Sequence, residues 1–259
     1  MKSACLDFVV FIQKEARACL FAGSFLFLIF ISKYIHVFGL ARYDFLFLAA
    51  VLIQILMLVF KLETKDEAKT IVLFHVIGFV LEVYKTSPMI GSWSYPEAGF
   101  FKLWNVPLYS GFMYASIGSY IAHAWKGLEL RLINPPPYWY SVVVCVCIYL
   151  NFFTNHFVWD FRPILILAVF ALYWKTRVEF TPRTKVYSMP LVLSFVLTAF
   201  FVWIAENIGT FYGAWQYPSQ IHAWTVVSMQ KITSWFLMVI ISFIIVAYLK
   251  HIKVKRTES

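Results

Sequence analysis

Charge is what this chain has least of. Asp, Glu, Lys and Arg together make up 14% of its 259 residues, while hydrophobic residues make up 61% and aromatics 20%. A soluble domain is nearer a quarter charged. So few charges cannot cover a water-facing surface, and the bilayer must be the solvent for much of the chain. Cysteine is scarce too. Four residues, Cys5, Cys19, Cys145 and Cys147, do not make a disulfide framework, and they read as reduced and structural. No cleavable signal is expected, because Asp7, Lys14, Glu15 and Arg17 interrupt the first twenty residues. No metal, nucleotide or phosphate motif is found, and no cofactor is expected.

What the chain does have is long apolar runs. They predict an all-α, polytopic membrane bundle of eight helices near 19–38, 43–60, 69–84, 105–125, 138–158, 161–175, 187–210 and 230–250. Several runs are shorter than the ~20 residues of a full span, and flanking Trp, Tyr, Lys and Arg extend them to the interface. The net charge of +9 follows this topology rather than marking a nucleic-acid partner. Of the 22 Lys and Arg, 16 fall at the two termini and in the second, fourth and sixth loops; six fall on the other side. By the positive-inside rule both termini are cytoplasmic.

An internal repeat organises the chain. Glu82 precedes Gly91-Ser92-Trp93-Ser94-Tyr95-Pro96, and Glu206 precedes Gly213-Ala214-Trp215-Gln216-Tyr217-Pro218. The glutamates are 124 residues apart and the Gly, Trp and Tyr positions 122 apart. Trp104 matches Trp224, and the His36…Arg42 segment matches His156…Arg162, both at an offset of 120. Residues 1–125 and 138–250 therefore read as two four-helix repeats. An even helix number makes the repeat parallel, about an axis along the membrane normal. Residues 126–137, with Pro135-Pro136-Pro137, read as a cytoplasmic linker and 251–259 as a basic cytoplasmic tail.

Ionisable residues inside spans are costly and so become functional candidates. Glu82 and Glu206 are the candidate acids. Trp93, Tyr95, Trp215 and Tyr217 in the glycine loops, with His156, Asp160 and Arg162, are candidate substrate-binding residues. All are expected to border one outward-facing polar pocket. His75 and Glu82, seven apart, share a helix face; His156 and Asp160, four apart, are expected to do the same. A purely structural reading stays open. In it Glu82 and Glu206 pair with Arg42 and Arg162, His75 bonds across helices, and the loop aromatics anchor the interface.

The two Glu…Gly-x-Trp-x-Tyr-Pro segments, with Asn155-His156-x-x-Trp159-Asp160-x-Arg162-Pro163, resemble the YoaT-like family of bacterial integral membrane proteins over nearly the whole chain. That resemblance implies a multi-pass protein of the bacterial plasma membrane and names no activity. The stretch from Glu82 through Trp93, Tyr95 and Val106-Pro107-Leu108 is also similar to membrane carotenoid hydratases and heterodimeric-type lycopene cyclases. This second resemblance covers roughly 30 residues of each half and implies protonation of an isoprenoid double bond by a membrane-embedded acid. The chain lacks the cyclases' paired glutamates after the proline, so cyclisation is not carried over. Two functions follow: an enzyme acting on an isoprenoid or carotenoid-like lipid, or a carrier or binding protein for a small or amphipathic solute. The implied partners are the bilayer and a hydrophobic small molecule.

Overall fold

A computed structural model describes residues 2–35 and 39–257, with side chains over 4–35 and 39–249. His36 and the basic side chains of the 251–259 tail lie outside the described residues. The chain is mostly helical: α1 (Lys2–Ala18), α2 (Leu20–Ile31), α3 (Arg42–Val59), α4 (Lys65–Lys85), α5 (Ser110–Gly127), α6 (Tyr138–Thr154), α7 (Arg162–Tyr173), α8 (Leu191–Phe211) and α9 (Lys231–Thr257). Each of the eight predicted stretches overlaps one of α2 to α9, with ends that differ by up to several residues. Among the described residues, three helices are long and apolar enough to cross a membrane: Arg42–Val59, Leu191–Phe211 and Lys231–Leu249. Leu20–Ile31, Tyr138–Thr154 and Arg162–Tyr173 are apolar but shorter. In α3, Leu48, Leu52, Ile55 and Val59 are exposed. This is an apolar outer face of the kind that lipid, not water, accommodates.

Helix α1 was not expected, because its charges mask the periodicity. Its Asp7 turns inward, accepting from the Tyr187 hydroxyl at 2.9 Å and pairing with Arg183 at 3.5 Å, while Leu6, Phe8, Val9 and Ile12 face out. Short strands were also missed. β1 (Lys102–Leu103) and β2 (Val106–Pro107) form a hairpin. β3 (Arg131–Ile133), inside the stretch read as a linker, pairs antiparallel with β4 (Arg177–Phe180), which pairs with β5 (Tyr187–Pro190).

The chain divides into two compact units, each drawn from both halves of the sequence. One comprises Met1–Cys19, Tyr120–Phe201 and Met229–Ser259; the other comprises Leu20–Ser119 and Val202–Ser228. In the first, α6, α7 and α9 pack around Ile148, Val169, Tyr173, Leu237 and Ile240. In the second, Phe21, Phe25, Tyr43, Leu46, Ile71 and Tyr109 form the core. Thr64 starts α4 with a reciprocal cap: its hydroxyl accepts from the Glu67 amide at 3.2 Å, and its own amide donates to Glu67 Oε2 at 2.8 Å.

Candidate functional site

Both candidate acids belong to the second unit, near the ends of two 21-residue helices, Glu82 on α4 and Glu206 on α8. Both are buried, at 1% and 3% exposure. A buried carboxylate needs donors. Glu82 Oε2 accepts from the Trp93 indole N–H at 2.7 Å and from the Tyr95 hydroxyl at 2.8 Å, and its Oε1 accepts from the Tyr114 hydroxyl at 2.8 Å. Glu206 Oε1 accepts from the Tyr217 hydroxyl at 2.5 Å. In each half, therefore, the tyrosine of the glycine loop bonds the glutamate of the preceding helix.

The loops owe their shape to glycine. Gly91 and Gly213, 122 residues apart in the sequence, have φ of +56° and +68°, the left-handed region where a Cβ is penalised. The turns bring Ser94 and Gln216, matched at the 122-residue offset, into an antiparallel bridge. The Trp93 and Tyr217 rings meet edge to face at 6.1 Å. Tyr43, Tyr95 and Tyr109 meet edge-on or tilted in a mutual cluster with centroids 5.3 to 6.0 Å apart. Both carboxylates lie within electrostatic range of Tyr114 and of Tyr217. Trp215 is buried and lies over Gly209, where a Cβ would come within 2.3 Å of its ring. The result is two acids inside one aromatic cluster.

The arginines take other partners than those expected. Arg42 pairs with Glu97 at 2.8 Å, and it also donates to Ser32 Oγ and to the carbonyls of Ile29 and Gly213. Arg162 pairs with Asp160 at 2.6 Å and donates to Ser234 Oγ at 2.8 Å. Asp44, which no sequence signal singled out, accepts from the Phe100 and Phe101 amides and fixes the run after the first loop.

His156, Asp160 and Arg162 belong to the first unit. Helix α6 ends at Thr154, so His156 and Asp160 lie in the turn before α7 and not at helical spacing on one face. Asp160 works locally there: it accepts from the Arg162 backbone N–H at 3.1 Å and from its Nε at 2.7 Å. Burial pushes the Asp160 carboxyl up, but the Arg162 hydrogen bonds and charge outweigh it and hold the group below the usual aspartate value. His75 Nδ1 has no hydrogen-bond partner; the ring stacks on Phe79 and meets Phe112 edge-on at 4.6 Å. Among the described residues, no group of three or more His, Cys, Asp and Glu is placed to hold a metal. Tyr114 was missed, since one tyrosine in an apolar run carries no motif.

These features describe a mostly helical protein with helices apolar and long enough to cross a membrane and a buried carboxylate–aromatic cluster. The chain belongs to the family described as Protein of unknown function (DUF817), matched over residues 7–243. It is 47% identical over 250 residues to "Uncharacterized protein YoaT" of Bacillus subtilis (strain 168), covering 96% of this chain and 94% of that protein. No solved structure matches.

Proposed function

We propose that this is a multi-pass protein of the bacterial plasma membrane in which Glu82 and Glu206 carry out acid-dependent processing of an isoprenoid or carotenoid-like lipid. The reading has eight spans, α2 to α9, in two parallel four-helix repeats with both termini cytoplasmic. It is supported by a helix in every predicted stretch and by the charge bias between alternate loops. One observation carries the activity: Glu82 is buried among Trp93, Tyr95 and Tyr114, with Glu206 and Tyr217 in the same aromatic cluster. A carboxylic acid there can protonate an isoprenoid double bond, breaking its O–H bond as a C–H bond forms. The ring faces suit the resulting tertiary carbocation. Water then adds to the cation, and its surplus proton returns to the carboxylate, so the lipid is hydrated and the acid restored.

The test is mass spectrometry of lipids extracted from the purified protein and from its Glu82→Gln and Glu206→Gln variants. The expected result is an isoprenoid retained by all three, with the hydrated product only in the native protein. Absence of any isoprenoid would overturn the reading.

A second reading, a carrier for a small or amphipathic solute, is favoured by the bridge between Ser94 and Gln216. The meeting of these loops, with two protonatable groups in one cluster, supports a proton-coupled carrier. A polar solute that raises the melting temperature, with no lipid bound, supports this alternative.

A further inference from the structure

A further buried carboxylate lies in the same unit as Glu82 and Glu206, and the lipid chemistry does not use it. Glu63, in the connection between α3 and α4, is 3% exposed. It accepts from the Ser119 hydroxyl of α5 at 3.1 Å and from the side-chain amide of Gln54 on α3. Helix α5 thus bonds two buried carboxylates, Glu82 through Tyr114 and Glu63 through Ser119. Those donors are five residues apart, about 7.5 Å of helix rise.

The polar atoms around this helix are incompletely satisfied. Among the described residues, three buried side-chain N or O atoms have no hydrogen-bond partner: Gln54 Oε1, His75 Nδ1 and Ser110 Oγ. All three belong to this unit, on α3, α4 and α5. Ser110 is fully buried, and a Cβ at its neighbour Gly111 would come within 2.6 Å of His75 Nδ1, so the two unpartnered groups flank one close approach of α4 to α5. Gly78 and Gly118 make the same crossing tight, against Tyr114 and Phe74. His75 in turn lies two helical turns from Glu82, about 10.5 Å along α4. Buried polar groups without protein partners are the sites where internal water binds. Runs of carboxylate, histidine and hydroxyl inside a membrane bundle are the usual material of proton relays.

We infer that protons move between Glu63 and Glu82 along α5, from Ser119 to Tyr114 over a chain of internal water anchored at the unpartnered Gln54, Ser110 and His75 atoms. Each hop breaks one O–H or N–H bond and forms another, so no further reactant is needed. The inference rests on reading Glu82 as a protonatable group, and it gives that group a supply of protons separate from the lipid. Glu67, the next acid along α4, is committed to the Thr64 cap and is not a station.

The experiment is proton flux into vesicles. The full chain is reconstituted in phosphatidylethanolamine–phosphatidylglycerol vesicles loaded with a pH-sensitive dye, and a potassium gradient with valinomycin drives protons inward. The native protein is expected to conduct above protein-free vesicles. Glu63→Gln and Ser110→Ala, each shown by thermal unfolding to be folded, are expected to lose most of that flux. Native flux no greater than that of empty vesicles, or native-like flux in both folded variants, would overturn the relay. Retained isoprenoid is measured separately on the same samples. Lost lipid with intact flux counts against the enzyme reading alone, and retained lipid without flux counts against the relay alone.

Discussion

Ser94 and Gln216 exchange both backbone hydrogen bonds, Ser94 N–H to the Gln216 carbonyl at 2.9 Å and Gln216 N–H to the Ser94 carbonyl at 3.0 Å. Each loop enters the bridge from a glycine at positive φ. Gly91→Ala isolates the backbone term, because an added Cβ there has nothing within 4 Å. It should lower stability by about 1–2 kcal/mol, the cost of the left-handed conformation for a residue with a Cβ. Thermal unfolding in detergent reads this directly. Gly209→Ala should do worse, since its Cβ would lie within 2.3 Å of the Trp215 ring. Equal midpoints for the two variants would show that Trp215 is free to move.

Arg42 holds three segments at once: the end of α2 through Ser32 and Ile29, the first loop through Glu97, and the second loop through Gly213. A lysine has one charged nitrogen and cannot reproduce that fork. Arg42→Lys should therefore destabilise almost as much as Arg42→Ala, and by more than Glu97→Gln, which removes only the charge from one contact of the four. A lysine variant with native stability would mean that charge, not geometry, is what matters at this position.

Much of this arrangement was legible in the sequence, for identifiable reasons. Apolar runs located α2 to α9 because hydrophobicity over a dozen or more residues is a local property. The two glycines announced their turns because only the backbone decides a positive φ. Partner choice was not legible. Arg42 has Glu82 as well as Glu97 within plausible reach along the chain, and only the fold selects Glu97. Tyr114, Glu63 and Asp44 were missed because a single polar residue in or beside an apolar run has no pattern around it. The sheet of β3, β4 and β5 was missed because strands of three or four residues carry too few alternations to register against turn signals. The expected helical spacing of His156 and Asp160 failed because α6 stops at Thr154, before either residue.

Asp160 yields a pH prediction. Its carboxyl is held below the ordinary aspartate value when folded, so the ionised form is favoured by folding. The stability it contributes is fully present above the unfolded aspartate pKa and is lost as pH falls through the lower, folded value. Asp160→Asn should thus shrink the acid-side fall in melting temperature while leaving the neutral and alkaline profile parallel to that of the native protein. The group is partly exposed, so salt should weaken the effect. An unchanged acid limb would place the sensitivity at another carboxylate.

Glu82 separates charge from hydrogen bonding. Its two oxygens face different donors: Trp93 and Tyr95 bond Oε2, and Tyr114 bonds Oε1. A glutamine can place its carbonyl toward Trp93 and Tyr95 and its amide toward Tyr114, whose hydroxyl can rotate to accept. Glu82→Gln should therefore fold with close to native stability while losing only the ability to hold or release a proton. Glu82→Ala takes that acceptor from the buried Tyr95 and Tyr114 hydroxyls and the half-buried Trp93 indole, at about 1–3 kcal/mol for each buried donor that stays unsatisfied, and should unfold at a much lower temperature. Tyr114→Phe should then cost less in the glutamine background than in the native one, because the rotated hydroxyl no longer bonds a charge. Thermal unfolding of these variants together checks the geometry. A glutamine variant as unstable as the alanine one would mean that the cluster requires the carboxylate charge itself, and Glu82 would then be a structural anion rather than an acid.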